Sequence, residues 1–108
     1  MQLDLILKTA VDKGASDVHL SPDIAPIIRF NTRLEKLDAA AFSQRAMEQM
    51  ALYVLGPENY KIFAGRGEID TSYHIDGVGN FRVNIYRHRS MIAIAARIIK
   101  TEIPTLEY

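Results

Sequence analysis

The stretch EIDTSYHIDGVGNFRVNIYRHRSMIAIAARII, residues 68–99, decides the fold because it reads as three consecutive β-strands. Apolar and polar residues alternate from Glu68 to Ile75 and again from Phe81 to Tyr86. Residues 91–99 are apolar except for Arg97, which predicts a strand in the centre of the sheet. The connections between the three segments are short, so we expect an antiparallel meander.

Turn lengths predict which residues face each other in this meander. A three-residue loop at 76–78 puts the apolar residues of the first two strands on one face, with Ser72 opposite Arg82 and Asp70 opposite Asn84. Two alternatives remain for the next connection, a two-residue turn at 88–89 or at 89–90. Arg82 then faces position 95 or Arg97, so the two arginines are diagonal or direct neighbours.

Two neighbouring guanidinium groups require a compensating negative charge, because like charges directly opposite each other are destabilising. Asp70 or Glu68 on the adjacent strand could supply it. A bound phosphate could supply it as well, since the planar guanidinium fork matches phosphate oxygens. A one-residue register slip would instead send Arg97 to the other face.

The remaining sequence predicts helices that pack against the sheet. Helical spacing of apolar residues indicates a first helix that stops at Gly14 and a second that is capped by Ser43 and ends at Gly56. A shorter helix follows from Pro57 and closes at Gly65. Short strands are expected at 18–20, 27–30 and 33–37. The fold class is therefore α+β, a mostly antiparallel sheet with helices packed on one side. The predicted inward residues of the first two helices are Leu3, Ile6, Leu7, Ala10, Val11, Met47, Met50, Ala51, Val54 and Leu55.

Composition excludes several classes of function. At 108 residues the chain forms one domain, and it has no cysteine for disulfide or thiolate chemistry. Lys+Arg and Asp+Glu both number 13, so net charge gives no support to nucleic-acid binding, although residues 87–89 form a basic hairpin tip. The start of the chain reads as a helix and not as a signal peptide. His19, His74 and His88 lack ligand-like spacing, so no metal site is predicted.

A nucleotide-binding motif is absent from these 108 residues. No glycine begins a G-x-x-x-x-G-K-[ST] phosphate loop, and there is no G-x-G-x-x-G. We therefore expect that this chain is not an enzyme by itself and that it holds no cofactor. If it meets ATP, it does so as an accessory.

Several segments, in order along the chain, resemble the PilT-like ATPases of the type II/IV secretion and pilus-retraction (twitching motility) family. GASDVHLS at 14–21 is similar to that family's "GASDlHLS", and PIIR at 26–29 to its "PmiR". GEIDTSY at 67–73 is similar to "E-x-D-x-S-[FY]", and FRVN at 81–84 is identical to the family's motif. The final match is Arg97 with the Ile103–Glu107 segment IPTLE, similar to "R-x-I…PTLEEL".

The resemblance implies an N-terminal, PAS-like domain at residues 1–100, with residues 101–108 starting a linker to a RecA-like ATPase domain. It implies a homohexameric cytoplasmic motor that uses ATP and Mg²⁺ and associates peripherally with the pilus or secretion machinery at the inner membrane. In that family the arginines at the positions of Arg82 and Arg97 reach the nucleotide phosphates, with Asp70 and Asn84 as possible supporting residues. Retraction, assembly and secretion roles all remain open.

The alternative from another class is a free-standing PAS-like sensory or protein-interaction module. In that case a cavity between the helices and the sheet would bind a small ligand. The two arginines would then be neutralised by neighbouring carboxylates.

Overall fold

The computed structural model describes residues 2–101, with the backbone alone for residues 100 and 101. All six of its strands form one antiparallel sheet in the order β3-β2-β1-β6-β5-β4. β6 lies between β1 and β5, which confirms the predicted central strand. Residues 102–108 of the predicted linker lie outside the described part. In chain order the elements are α1 (Gln2–Lys13), β1 (Asp17–Ser21), β2 (Ile24–Arg29), β3 (Leu34–Lys36), α2 (Gln44–Arg66), β4 (Glu68–Ile75), β5 (Gly79–His88) and β6 (Met91–Thr101).

Helix α1 is amphipathic, and the predicted inward stripe is its buried face. It ends where Gly14 takes a φ of +80°, a left-handed conformation that glycine adopts without steric cost. The Gly14 N–H donates to the carbonyl of Val11 at 3.0 Å, which closes the last turn. Its five buried residues are Leu3, Ile6, Leu7, Ala10 and Val11.

Helix α2 begins at the predicted cap, where Ser43 Oγ accepts a hydrogen bond from the N–H of Ala46 at 3.1 Å. Gly56 interrupts it with non-helical angles (φ 80°, ψ 164°), and the second half restarts at Pro57, as predicted. The predicted closing residue was wrong. Gly65 stays within the helix, and Gly67 takes the left-handed angle (φ 85°) that ends it. The Gly67 N–H donates to the carbonyl of Phe63 at 2.7 Å.

The hydrophobic core lies between the two helices and one face of the sheet, which confirms the predicted α+β fold. Phe63 of α2 and Phe81 of β5 are among its largest members and are at most 1% exposed. Burying an aromatic side chain of this kind stabilises the fold by about 2–3 kcal/mol. Within residues 2–101, the other face of the sheet carries no helix, and it is called the open face below. It contains the residues that alternate with the core residues along each strand, among them Asp17, Arg29, Arg82 and Arg97.

The strand register agrees with the predicted loop lengths. Ser72 faces Arg82 and Asp70 faces Asn84 across β4 and β5, as a three-residue loop at 76–78 requires. His88 and Met91 are partners across β5 and β6, so the two-residue turn lies at 89–90. Of the two predicted alternatives, this turn makes Arg82 and Arg97 direct partners.

Candidate functional site

Arg82 of β5 and Arg97 of β6 lie directly opposite each other on the open face. Each lies between core residues along its strand, so its side chain points away from the helices. Both are exposed, and the side chain of Arg97 is 71% exposed. The sequence therefore correctly predicted that the sheet brings these two guanidinium groups together.

The carboxylate nearest to this pair belongs to Asp17 of β1. Asp17 is the direct partner of Arg97 across the β1–β6 ladder, with Arg97 Nε 3.7 Å from Asp17 Oδ2. The Asp17 side chain is only 16% exposed, and Ser16 Oγ donates to its Oδ1 at 2.7 Å. A single pair at this distance with one highly exposed member contributes little to stability, typically below about 1 kcal/mol.

Asp70 and Glu68, which the sequence left open as one source of the compensating charge, form no ion pair with either arginine in the described chain. Asn84 Nδ2 donates to Asp70 Oδ1 at 3.0 Å and to Glu68 Oε2 at 3.0 Å, so both carboxylates are held by an amide. Within residues 2–101, no carboxylate lies within 4.0 Å of the Arg82 guanidinium. The predicted supporting residues Asp70 and Asn84 are thus partners of each other and not of Arg82.

Arg29 of β2 also joins this site, and the sequence analysis assigned it no role. It is the direct partner of Asp17 across the β1–β2 ladder, and it is exposed. Arg29, Asp17, Arg97 and Arg82 therefore follow one another across four neighbouring strands, and we call these four residues the arginine row. The alternation along PIIR predicts an outward arginine, but only the long-range pairing of β1 with β6 puts it in line with the other two.

The basic hairpin tip does not extend the arginine row. Arg87 stacks over the ring of Phe63, with its guanidinium carbon 5.1 Å from the centroid, and so belongs to the helix side of the sheet. At the turn itself Arg89 and Ser90 both have positive φ, 54° and 68°. The histidines are also scattered: in the described chain no group of three or more His, Cys, Asp or Glu residues could hold a metal ion.

A cavity of about 660 Å³ lies between α1 on one side and β3 with the segment that follows it on the other. It is lined mainly by apolar side chains such as Leu5, Ile6, Leu37 and Phe42, with Lys13 and Lys36 among its polar lining. Its volume is in the range of small-molecule sites. Glu35 and Lys36 of β3 line it opposite α1, so it lies between a helix and the edge strand of the sheet, where the sequence-based alternative expected a cavity.

Neither helix of the described chain combines the length and the apolar character that crossing a membrane requires. No protein-family profile matches the sequence. Two characterised relatives do. The chain is 28% identical over 107 residues to the type IV pilus ATPase PilU of Pseudomonas aeruginosa and 25% identical over 107 residues to the type IV pilus retraction ATPase PilT of the same organism. These alignments cover 99% of the chain but only 28% and 31% of the relatives, so the chain spans less than a third of their length.

Solved structures agree with the sequence comparison. The pilus retraction motor PilT with bound ADP superposes with a TM-score of 0.81 at 30% identity, over 92% of this chain and 29% of that one. The Legionella pneumophila ATPase DotB superposes with a TM-score of 0.78 at 22% identity, over 91% and 28%, and shares the fold. The chain is homologous to the N-terminal region of the type IV pilus ATPases PilU and PilT and has the fold of that region in PilT.

Proposed function

We propose that this chain is the N-terminal accessory domain of a PilT-like motor ATPase and that Arg82 and Arg97 bind the phosphates of a nucleotide held by a RecA-like domain of the same protein. The observation that carries the proposal is the direct opposition of two exposed arginines on the open face of a domain homologous to PilT. PilT itself has been solved with bound ADP, which supports nucleotide as the ligand of the parent protein.

The electrostatics of the pair favour a ligand of multiple negative charge. Two adjacent guanidinium groups repel each other, and the only described carboxylate within 4.0 Å of either, that of Asp17, lies 3.7 Å from Arg97. A phosphate placed between them accepts charge-assisted hydrogen bonds from both and removes the repulsion. The repulsion between Arg82 and Arg97 is therefore relieved most when an anion from outside the domain binds at the open face.

The contact between the arginines and the phosphates would couple nucleotide binding to closure of the two domains. When the RecA-like domain binds ATP, the two arginines approach the phosphates and the domains close, and product release lets them separate. Nucleotide state is thereby coupled to motion within a homohexamer that works in the cytoplasm on pilus or secretion machinery at the inner membrane. Mg²⁺ is expected with ATP in the parent protein, and no residue of this chain is assigned to it.

The decisive experiment replaces each arginine in the full-length protein. Arg82→Ala and Arg97→Ala are each expected to weaken nucleotide binding and slow ATP turnover by about tenfold or more, because each removes a charge-assisted contact worth about 1.5–3 kcal/mol. Arg45→Ala is the matched control, since Arg45 is exposed on α2 in the helical layer. Unchanged affinity and unchanged turnover in both test variants would contradict the role.

The coding sequence provides a faster test of the domain assignment. A G-x-x-x-x-G-K-[ST] motif in the reading frame after Tyr108, within about a further domain's length, is the expected result. A stop codon directly after Tyr108 would contradict it. ATP hydrolysis by residues 1–108 alone would also contradict the accessory role.

A ligand-binding module is the second candidate, and the cavity beside α1 is the observation that favours it. The cavity holds about 660 Å³ and mixes apolar residues with two basic and two acidic ones (Lys13, Lys36, Glu35 and Asp38), as a site for a small amphipathic molecule would. A screen by ligand-observed NMR against the 108-residue chain, repeated with Leu5→Glu to block the cavity, tests this. Binding that Leu5→Glu abolishes supports the module, and binding that it leaves unchanged excludes this cavity.

A further inference from the structure

We propose that Arg29 is a third phosphate-binding arginine of the open face, so that the arginine row recognises a chain of phosphates and not a single phosphate. This inference rests on the proposed function, because it extends the site of Arg82 and Arg97. It adds a residue that neither the sequence motif analysis nor the likeness to PilT assigns to nucleotide binding.

Strand register provides the first argument. Arg29 and Arg97 are both direct partners of Asp17, one on each side, and Arg82 is the next partner beyond Arg97. Neighbouring strands lie about 4.8 Å apart, so three strand spacings, about 14 Å, separate the backbones of Arg29 and Arg82. All three guanidinium groups leave the same face of the sheet and stand in one line.

Charge provides the second argument. Three guanidinium groups against the one carboxylate of Asp17 leave an excess of two positive charges in a chain whose net charge is zero. Asp17 is in contact with Arg97, whereas no described carboxylate lies within 4.0 Å of Arg29. Arg29 is thus an exposed cation that the domain itself does not neutralise, as Arg82 is.

The backbone at Arg29 is fixed, which keeps this arginine in line with the others. The Arg29 carbonyl accepts a hydrogen bond from the Ser16 N–H at 2.7 Å, and Ser16 Oγ lies 3.1 Å from the same carbonyl oxygen. The same Ser16 hydroxyl lies 2.7 Å from Asp17 Oδ1. One serine therefore contacts both the Arg29 backbone and the carboxylate beside Arg97.

The geometry predicts that the arginine row distinguishes a single phosphate from a longer chain of phosphates. One orthophosphate bridges the adjacent pair Arg82 and Arg97, but a linear triphosphate extends along the row toward Arg29. Arg29 should therefore contribute to the affinity for tripolyphosphate and not to that for orthophosphate. Arg82 and Arg97 should contribute to the affinity for both anions.

The test uses the 108-residue chain, titrated with orthophosphate and with tripolyphosphate at low salt, and followed through the NMR signals of the arginine Nε–H groups. Arg29→Gln is expected to weaken tripolyphosphate binding by about two- to fivefold and to leave orthophosphate binding unchanged. Arg82→Gln and Arg97→Gln should weaken both. Arg45→Gln, on the helical layer, is the matched control and should change neither.

The outcomes separate this inference from the function on which it rests. If Arg29→Gln behaves like Arg45→Gln while the other two variants lose affinity, the role of Arg29 is overturned and the proposed function stands. If none of the three variants differs from Arg45→Gln, both are overturned. Thermal unfolding midpoints equal to that of the unmodified chain ensure that any loss reflects binding and not folding.

Discussion

Asp17 faces Arg97 across the β1–β6 ladder, and its carboxylate is the one negative group in the arginine row. Because a bound phosphate carries the same sign of charge, Asp17 competes with it for Arg97 and repels it. Asp17→Asn is therefore expected to tighten tripolyphosphate binding to the 108-residue chain by about two- to fivefold. Titration at low salt measures the change.

A matched control is available on α1. Asp12 forms an exposed ion pair with Lys8 at 2.9 Å, so Asp12→Asn makes the same charge change away from the open face. It should alter tripolyphosphate affinity much less than Asp17→Asn does. Weaker binding by Asp17→Asn would show instead that the carboxylate holds Arg97 in its binding position, and would overturn the view that it competes.

Asn84 keeps two carboxylates together by donating to both Glu68 and Asp70 at 3.0 Å. Asn84→Asp replaces that donor by a third carboxylate, so we expect the free energy of unfolding at pH 7 to fall by about 1–2 kcal/mol. The loss should shrink as the pH is lowered toward 4, where carboxylates begin to take up protons. Urea unfolding at several pH values measures it.

Asn80 on the same strand serves as the control for this substitution. Its Oδ1 lies 2.6 Å from His74 Nδ1, so Asn80→Asp places the new charge beside an imidazole. We expect Asn80→Asp to leave stability at pH 7 unchanged or slightly higher. An equal loss in both variants would mean that the carboxylate cluster does not account for the effect at Asn84.

The site could be predicted where local sequence determines register, and only there. Period-two alternation and short turns make Arg82 a direct or diagonal neighbour of Arg97, because one residue of slip would bury every polar side chain of the strand. Arg97, the partner of Asp17 on β6, lies about 80 residues further along the chain, and no local pattern specifies that pairing. The roles of Asp17 and Arg29 therefore emerged only from the assembled sheet.

The end of α2 is a second feature that local sequence does not determine. Gly65 and Gly67 are two residues apart, and both are able to adopt the left-handed angle that closes a helix. Composition does not distinguish them. The choice depends on where β4 must begin, since the Gly67 carbonyl accepts a hydrogen bond from the Arg87 N–H of β5 at 3.0 Å.

These two glycines give opposite predictions for the same substitution. Gly67 has a φ of 85°, so Gly67→Ala is expected to cost about 1–2 kcal/mol of unfolding free energy. Gly65 lies inside the helix, where Gly65→Ala is expected to gain about 0.5–1 kcal/mol. An added Cβ meets no atom within 4 Å at either position, so packing does not obscure the comparison. If urea unfolding showed that both substitutions change the free energy of unfolding in the same direction, the assigned helix end would be contradicted.

The two residues of the β5–β6 turn adopt backbone angles that their residue types disfavour. Arg89 and Ser90 both have positive φ, which two-residue hairpin turns ordinarily assign to Asn-Gly. Arg89→Asn combined with Ser90→Gly should raise the free energy of unfolding by about 1 kcal/mol. Ser90→Val, a β-branched residue at the same angle, should lower it. Stabilisation by Ser90→Val would show that the turn lies elsewhere.

Tyr73 donates its phenolic proton to the carboxylate of Asp4 and so joins the edge strand β4 to helix α1. Its ring also packs edge-on against Tyr53, with the centroids 6.4 Å apart. Tyr73→Phe keeps the ring and removes the hydrogen bond to a charged group, so it is expected to cost about 1.5–3 kcal/mol. Tyr60→Phe, in a ring that packs on Phe63 at 5.8 Å, is the control and should cost less.

The pH dependence of this difference provides a sharper test than its size. Burial, together with the hydrogen bond to Asp4, raises the pKa of Tyr73 well above its ordinary value near 10. Above pH 10 the unfolded chain loses the Tyr73 proton while the folded chain keeps it, so the stabilisation by Tyr73 decreases as the pH rises. The gap in unfolding free energy between the unmodified chain and Tyr73→Phe should therefore be constant from pH 7 to 9 and shrink above pH 10. A gap that stays constant above pH 10 would contradict the raised pKa of Tyr73.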